Sequence, residues 1–282
     1  MPSYVLAAVL LAALLHATWN ALAKGRTGGD PLLRAALIAA GGAAVSAPLL
    51  LWAGLPAAAS SPHLVASILI HVVYFVLVGL TLRGADLGIV YPLTRGTAPL
   101  GVALGSLVLV GEGMPPAGWA GVLVLSAGII AVGSDAVLGR GLDRRSAALV
   151  ALNAAVIVGY TIVDGAGVRL SGNPVGYIAA LMLGTGVALY PVAAWLSAGA
   201  IVGEFRAGWG FGLIGGAMLT ASYGIALWAM TLAPIAAVSA ARETSVLFAA
   251  LLGTLLLGER LGKARLAGAA LIVCGLVLLR LA

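Results

Sequence analysis

The stretch RGTAPLGVALGSLVLVGE at 95–112 and the stretch RETSVLFAALLGTLLLGE at 242–259 decide how this chain is built. Set side by side without a gap, they align Arg95 with Arg242, Thr97 with Thr244 and Leu100 with Leu247. Gly111-Glu112 falls on Gly258-Glu259, and further on Gly121 falls on Gly268 and Gly128 on Gly275. Alanine, leucine and glycine coincide by chance in apolar helices, so the charged matches carry the weight. Each stretch is an apolar run that opens on an arginine and closes on Gly-Glu. The chain therefore reads as two similar halves.

The rest of the sequence has the same character. Of 282 residues 62% are hydrophobic and 9% charged, whereas a water-soluble domain has about a quarter of its residues charged. Lipid solvates such a chain and water does not. A bilayer core takes about 20 helical residues. Runs of that length fall near 4–23, 32–53, 63–82, 88–110, 117–137, 147–168, 175–197, 209–231, 234–257 and 264–281. Turn and charge clusters separate them, such as Lys24 to Pro31, Pro115-Pro116 and Arg140 to Arg145. The expected fold is an all-α membrane protein with about ten transmembrane helices. Residues 1–137 form a first five-helix repeat, 138–146 a cytoplasmic linker, and 147–282 a second repeat. Five crossings is an odd number, so the second copy enters the membrane inverted. Inverted repeats are the plan of many secondary transporters, with the substrate site between them near the midplane.

The formal charge is +6, but the basic residues sit in short connections, which argues against nucleic acid as a partner. If the loops alternate sides, Lys24, Arg26, Arg34, Arg83, Arg140, Arg144, Arg145, Arg206, Arg260, Lys263 and Arg265 share one face. Arg169 and Arg280 fall on the other. The positive-inside rule makes the rich face cytoplasmic. A multi-pass inner-membrane protein with both termini in the periplasm is expected. The first run begins almost at Met1 and lacks a basic leader, so it reads as a retained helix. Cys274 is the single cysteine, which leaves no disulfide framework.

Polar side chains inside apolar runs are costly and mark candidate sites. On the first helix His16, Trp19, Asn20 and Lys24 share a face by their spacing. Ser67, His71 and Tyr74 do so on the third, and Tyr91, Thr94 and Arg95 on the fourth. The second half carries Tyr160 and Asp164, then Thr220 and Tyr223, then Ser239, Arg242 and Glu243. The expected substrate cavity comprises His16, Trp19, Asn20, His71, Tyr74, Tyr91, Arg95, Tyr160 and Tyr223. Asp164, Arg242 and Glu243 form a candidate gate or ion-pair cluster. By position in the halves, Asn20 is expected beside Arg95 and Asp164 beside Arg242, with Glu243 competing for Arg242. The structural alternative is that each group bonds across a helix interface and that the arginines are scaffold.

Nothing in the chain resembles a soluble catalytic site. There is no phosphate-cradling loop, no Cys/His metal spacing, and no nucleophile beside a base. No catalytic residue, metal or cofactor is therefore assigned. An intramembrane hydrolase built on His16, His71 and serines is the rival class, without paired aspartates or a Gly-Ser nucleophile motif to support it.

His-Ala-Thr-Trp-Asn-Ala-Leu-Ala-Lys at 16–24, Arg34 at the start of the second helix, and the two Gly-Glu endings resemble the drug/metabolite transporter superfamily. Within it they are similar to the ten-helix EamA-type members. The resemblance implies a secondary transporter that exports small metabolites by alternating access. Amino acids, including aromatic ones, are the implied cargo, as in YddG-type exporters; drugs, sugars and nucleotide sugars are the alternatives. The implied partners are that small-molecule cargo and the lipid bilayer, and a monomer would suffice. In the four-helix small multidrug branch a proton-carrying glutamate stands eight residues before a lysine. His16 stands eight before Lys24, which implies protons as a coupling partner. In one respect the chain departs from many relatives, whose basic N-termini stay inside.

Overall fold

The computed structural model describes residues 1–25, 30–84, 87–132, 142–197, 201–257 and 262–282. The helices are α1 (Ser3–Gly25), α2 (Pro31–Ala53), α3 (Ser61–Gly84), α4 (Leu87–Gly105) and α5 (Pro116–Val132). A single π turn, Ser106–Val110, extends α4, and a short 3-10 turn, Ala58–Ser60, precedes α3. After these come α6 (Arg144–Leu170), α7 (Pro174–Leu196), α8 (Ile201–Met230), α9 (Ile235–Arg242), α10 (Ser245–Leu257) and α11 (Lys263–Leu281). Among the described residues nine segments are long and apolar enough to cross a membrane, and Pro116–Val132 is a shorter apolar helix. The protein is an all-α membrane protein.

Local chemistry sets the helix starts. Asp30 accepts from the Leu32 N–H ahead of α2, whose first residue is Pro31, where a missing donor costs nothing. Asn173 caps α7 in the same way through the Gly176 N–H. Asp143 caps α6 by accepting from Ser146, and those bonds hold its carboxyl below the usual carboxylate range. With this cap α6 starts at Arg144, three residues before the expected start at 147. Of the expected linker, 138–141 lie outside the described residues, as do Arg26, Asp86, Arg140 and Gly258 to Arg260.

The expected run at 234–257 is interrupted. α9 stops at Arg242 and α10 starts at Ser245. Across the break the bonds shorten to a three-residue step, from Glu243 N–H to Ala240 O (3.0 Å) and from Thr244 N–H to Ala241 O (3.2 Å). The Thr244 hydroxyl also donates to Ala241 O at 2.7 Å. Averaged over the length of a membrane span, hydropathy does not register this break, because the apolar flanks on either side outweigh the four polar residues at it. Arg242, Glu243, Thr244 and Ser245 are all buried there.

Tight helix contacts are made by glycines. A Cβ at Gly121 would come within 2.9 Å of Gly275 O, and one at Gly128 within 2.7 Å of Gly268 O. Thus the glycines of α5 and α11 that align in the sequence meet crosswise. Gly41 and Gly42 of α2 pack on Gly212 and Gly216 of α8, and Gly101 faces Val158 of α6. Small residues let backbones approach closely in lipid, where apolar burial gives no preference for one helix neighbour over another.

One face of the bundle gathers both ends of the chain. Arg280 donates to the Ser3 hydroxyl at 3.1 Å. On this face Asn173 reaches Ala53 O at 2.7 Å, and Arg169 donates to Met230 O, Ala233 O and Glu112. The other Glu112 oxygen accepts from Ile235 N–H at 2.8 Å, capping α9.

Candidate functional site

Side chains from both halves converge inside the bundle. α1 turns His16 and Trp19 to one side, with their rings edge-on at 5.4 Å. α3 contributes His71 and Tyr74, α6 contributes Tyr160, α8 Tyr223, and α9 ends on Arg242. These residues, with Ala39, Phe75, Met182, Thr185 and Leu219, line one cavity. The cavity between them has a volume of about 40 Å³, room for a few waters.

The aromatic wall is continuous. His71 lies 4.5 Å from Tyr160 and 5.4 Å from Tyr223 between ring centres, and Tyr74 lies 5.4 Å from Tyr160. His71 Nδ1 faces Ser67 O at 3.0 Å. The Ser67 hydroxyl lies 3.1 Å from the same nitrogen.

Asp164 and Arg242, expected to pair, are joined through Tyr223 instead. The Tyr223 hydroxyl donates to one Asp164 oxygen at 2.5 Å, and Tyr177 donates to the other at 3.1 Å. The Arg242 guanidinium sits 5.2 Å from the centre of the Tyr223 ring. Two phenols satisfy the carboxylate, which is fully buried, and the arginine takes the ring face as its electrostatic partner.

Arg95 and Asn20 do not pair either. Asn20 donates to its own helix at His16 O, 2.8 Å away. Arg95 donates to Glu243 at 2.9 Å and to His16 Nε2. The same guanidinium lies 5.5 Å from the Tyr91 ring centre. Glu243, expected to compete with Asp164 for Arg242, makes its ion pair with the other arginine. The physical reason lies in the alignment, where Gly96 occupies the place that Glu243 holds in the second half. Glu243 makes its ion pair with Arg95, whose own half has no carboxylate at the aligned position.

The structure thus places His16, Trp19, His71, Tyr74, Tyr160, Tyr223 and Arg242 around one cavity. Arg95, Glu243 and Asp164 stand behind its wall, while Asn20 and the part-exposed Tyr91 are not in its lining. Sequence reading missed Tyr177, Thr185 and Met182. Tyr177 was visible as a phenol near the start of an apolar run, but its distance from Asp164 along the chain concealed the bond. The Trp19 Nε1 and Thr185 Oγ1 atoms are buried without a partner.

The fold and cavity define a polytopic helical membrane protein with a polar, aromatic interior site. Residues 145–281 match the model of the EamA-like transporter family. Among solved structures 26 chains match. One, described as the crystal structure of a protein, superposes with a TM-score of 0.75 at 23% identity. The alignment covers 100% of this chain and 98% of that one, and at this identity it establishes shared fold. No curated protein sequence matches the chain.

Proposed function

We propose that this protein is a secondary transporter of the drug/metabolite superfamily that exports small carboxylate-bearing metabolites across the inner membrane. The observation that carries this reading is the shared cavity, in which Arg242 and seven aromatic or imidazole rings from four helices surround one interior space. Amino acids, aromatic ones included, are the reference cargo, since the rings accept apolar side chains and the guanidinium accepts a carboxylate. The match to the EamA-like transporter family supports transport as the activity, and no bond-breaking step is assigned to any residue.

Alternating access between two inverted halves is the proposed mechanism. The crosswise meeting of Gly121 with Gly275 and of Gly128 with Gly268 supports it. A two-fold relation requires that when one residue meets the equivalent of a second, the second meets the equivalent of the first. The interrupted segment at Arg242 to Ser245 supports it too, because discontinuous helices commonly form the binding centre of transporters. The basic bias supports a periplasmic position for the terminus-bearing face.

The test is counterflow in proteoliposomes with labelled amino acids, sugars, nucleotides and cationic drugs. Accumulation of an amino acid against unlabelled amino acid inside is the expected result. Failure to move any member of the panel, with folded protein in sealed vesicles, refutes the transporter reading.

A further inference from the structure

We infer that Asp164 is the site of an exchangeable proton that couples transport to a pH gradient. The proton reaches it from the cavity through His71 and Ser67, and from the terminus-bearing face through His63 and Tyr177. The coupling rests on the chain being a transporter; the proton site does not.

Asp164 and Glu243 are both buried, but different chemistry holds them. Glu243 accepts from the Arg95 guanidinium at 2.9 Å. A guanidinium has donors only, so that contact suits an anion. Among the described residues no Lys or Arg is ion-paired with Asp164. Hydroxyls hold it instead: Tyr223 at 2.5 Å, Tyr177 at 3.1 Å, and Ser67. A hydroxyl donates to a carboxylate and accepts from a carboxylic acid, so this shell holds the group with its proton or without it. Glu243 Oε2, buried without a partner, is the rival acceptor for a proton.

The groups around Asp164 form a file across half the bundle. His63, Ser67 and His71 are spaced by four and share one face of α3. His71 lines the cavity, and its Nδ1 is 3.1 Å from the Ser67 hydroxyl. His63 stands at the other end, beyond Ala57, whose N–H donates to Ser171 O on the terminus-bearing face. Its Nδ1 is buried without a partner. A Cβ at Gly167 of α6 would come within 2.7 Å of His63 Cβ and 2.8 Å of Tyr177 Cζ, so these two side chains meet one turn beyond Asp164. The remaining titratable groups here are Tyr74 and Tyr160, ring against ring at 5.4 Å. α4 packs Gly101 and Gly105 on Val158 and Ile162 of α6. α9 packs Ile235 on Gly165, and its Arg242 reaches Asp164 through Tyr223. Chains of acidic and imidazole groups at membrane depth serve as proton relays.

A hydronium in the cavity protonates His71, which passes its Nδ1 proton to the Ser67 oxygen as Ser67 passes its own hydrogen to Asp164. The imidazole returns to its neutral form and the carboxyl gains the one proton. Ionised Asp164 accepts from Tyr223; once protonated, its O–H donates to the Tyr223 oxygen and the phenol hydrogen turns to another acceptor. Tyr223 lines the cavity and carries Arg242 on its ring, so the proton is felt where cargo binds.

Infrared difference spectra of the full chain in lipid nanodiscs, taken between acidic and alkaline buffer, test the site. The carbonyl stretch of a protonated carboxyl shielded from water is expected in the wild type, lost in Asp164→Asn and kept in Glu243→Gln. In proteoliposomes with labelled phenylalanine, a pH gradient should change uptake several-fold, and Asp164→Asn should abolish that dependence while counterflow persists. If Asp164→Asn does not fold, Ser67→Ala keeps the carboxyl and should shift the band by removing a hydroxyl partner. The inference is overturned by a band that survives in Asp164→Asn, is lost in Glu243→Gln or stays unmoved in Ser67→Ala. Gradient dependence that survives in Asp164→Asn overturns it too, as does wild-type uptake indifferent to the gradient. Absence of counterflow overturns the transporter reading instead, and the band alone then decides the proton site.

Discussion

Arg95 and Glu243 lie 148 residues apart in the chain and meet at 2.9 Å in the interior, each almost wholly shielded from solvent. This ion pair joins α4 to the break between α9 and α10. It also fixes Arg95 against His16, so one guanidinium connects three crossings.

Removing one member of such a pair leaves a buried charge without its counterion. Glu243→Gln should lower stability by about 3–5 kcal/mol, and the double variant Arg95→Met/Glu243→Met should lose much less. Thermal unfolding in detergent, followed by circular dichroism, measures both. Equal losses in the single and double variants would show that the pair is not coupled.

His16 accepts from Arg95, because a guanidinium has no lone pair to offer. Protonating Nε2 would replace that bond with repulsion, which places the proton-carrier role implied by the His16–Lys24 spacing in competition with this contact. His16→Gln retains an acceptor and is expected to keep both stability and any pH-gradient dependence of transport. His16→Leu leaves the donor unpaired and should cost about 1–3 kcal/mol. Loss of gradient dependence with retained exchange in His16→Gln would instead assign the coupling proton to His16.

Tyr223 couples Asp164 to Arg242 through its hydroxyl and its ring. Tyr223→Phe keeps the ring and removes one donor, with an expected loss of about 1–3 kcal/mol. Asp164→Asn changes the same bond, so the two losses should not add. A double-mutant cycle in thermal stability checks this. A gate role for the trio predicts in addition that Tyr74→Cys labels faster from outside when Asp164→Asn is present. An unchanged labelling rate leaves the trio as scaffold.

The Arg280–Ser3 bond places both ends of the chain on one face. With the basic bias, that face is expected to be periplasmic. A reporter active only outside the cytoplasm, fused after Ala282, should be active. Activity confined to a cytoplasmic reporter reverses the orientation.

The sequence by itself determined the helical class and the succession of apolar runs, and it carries the basic bias from which an orientation is proposed. Each of these depends on local composition and length, which hydration and bilayer thickness read directly. It also showed which residues share a face within one helix, so His16 with Trp19 and His71 with Tyr74 were legible from their spacing. Partner choice was not legible. Asn20 and Arg95 sit at plausible depths for each other, yet Arg95 pairs with Glu243. Asp164 and Arg242 are separated by a tyrosine that neither neighbours in sequence. Helices that are apolar on most sides carry no strong stripe to set their rotation in lipid. Their register is decided where glycines allow contact, as Gly128 does against Gly268. That close packing, together with the backbone break after Arg242, is what brought the charges, phenols and unpartnered donors of six helices into their actual pairings.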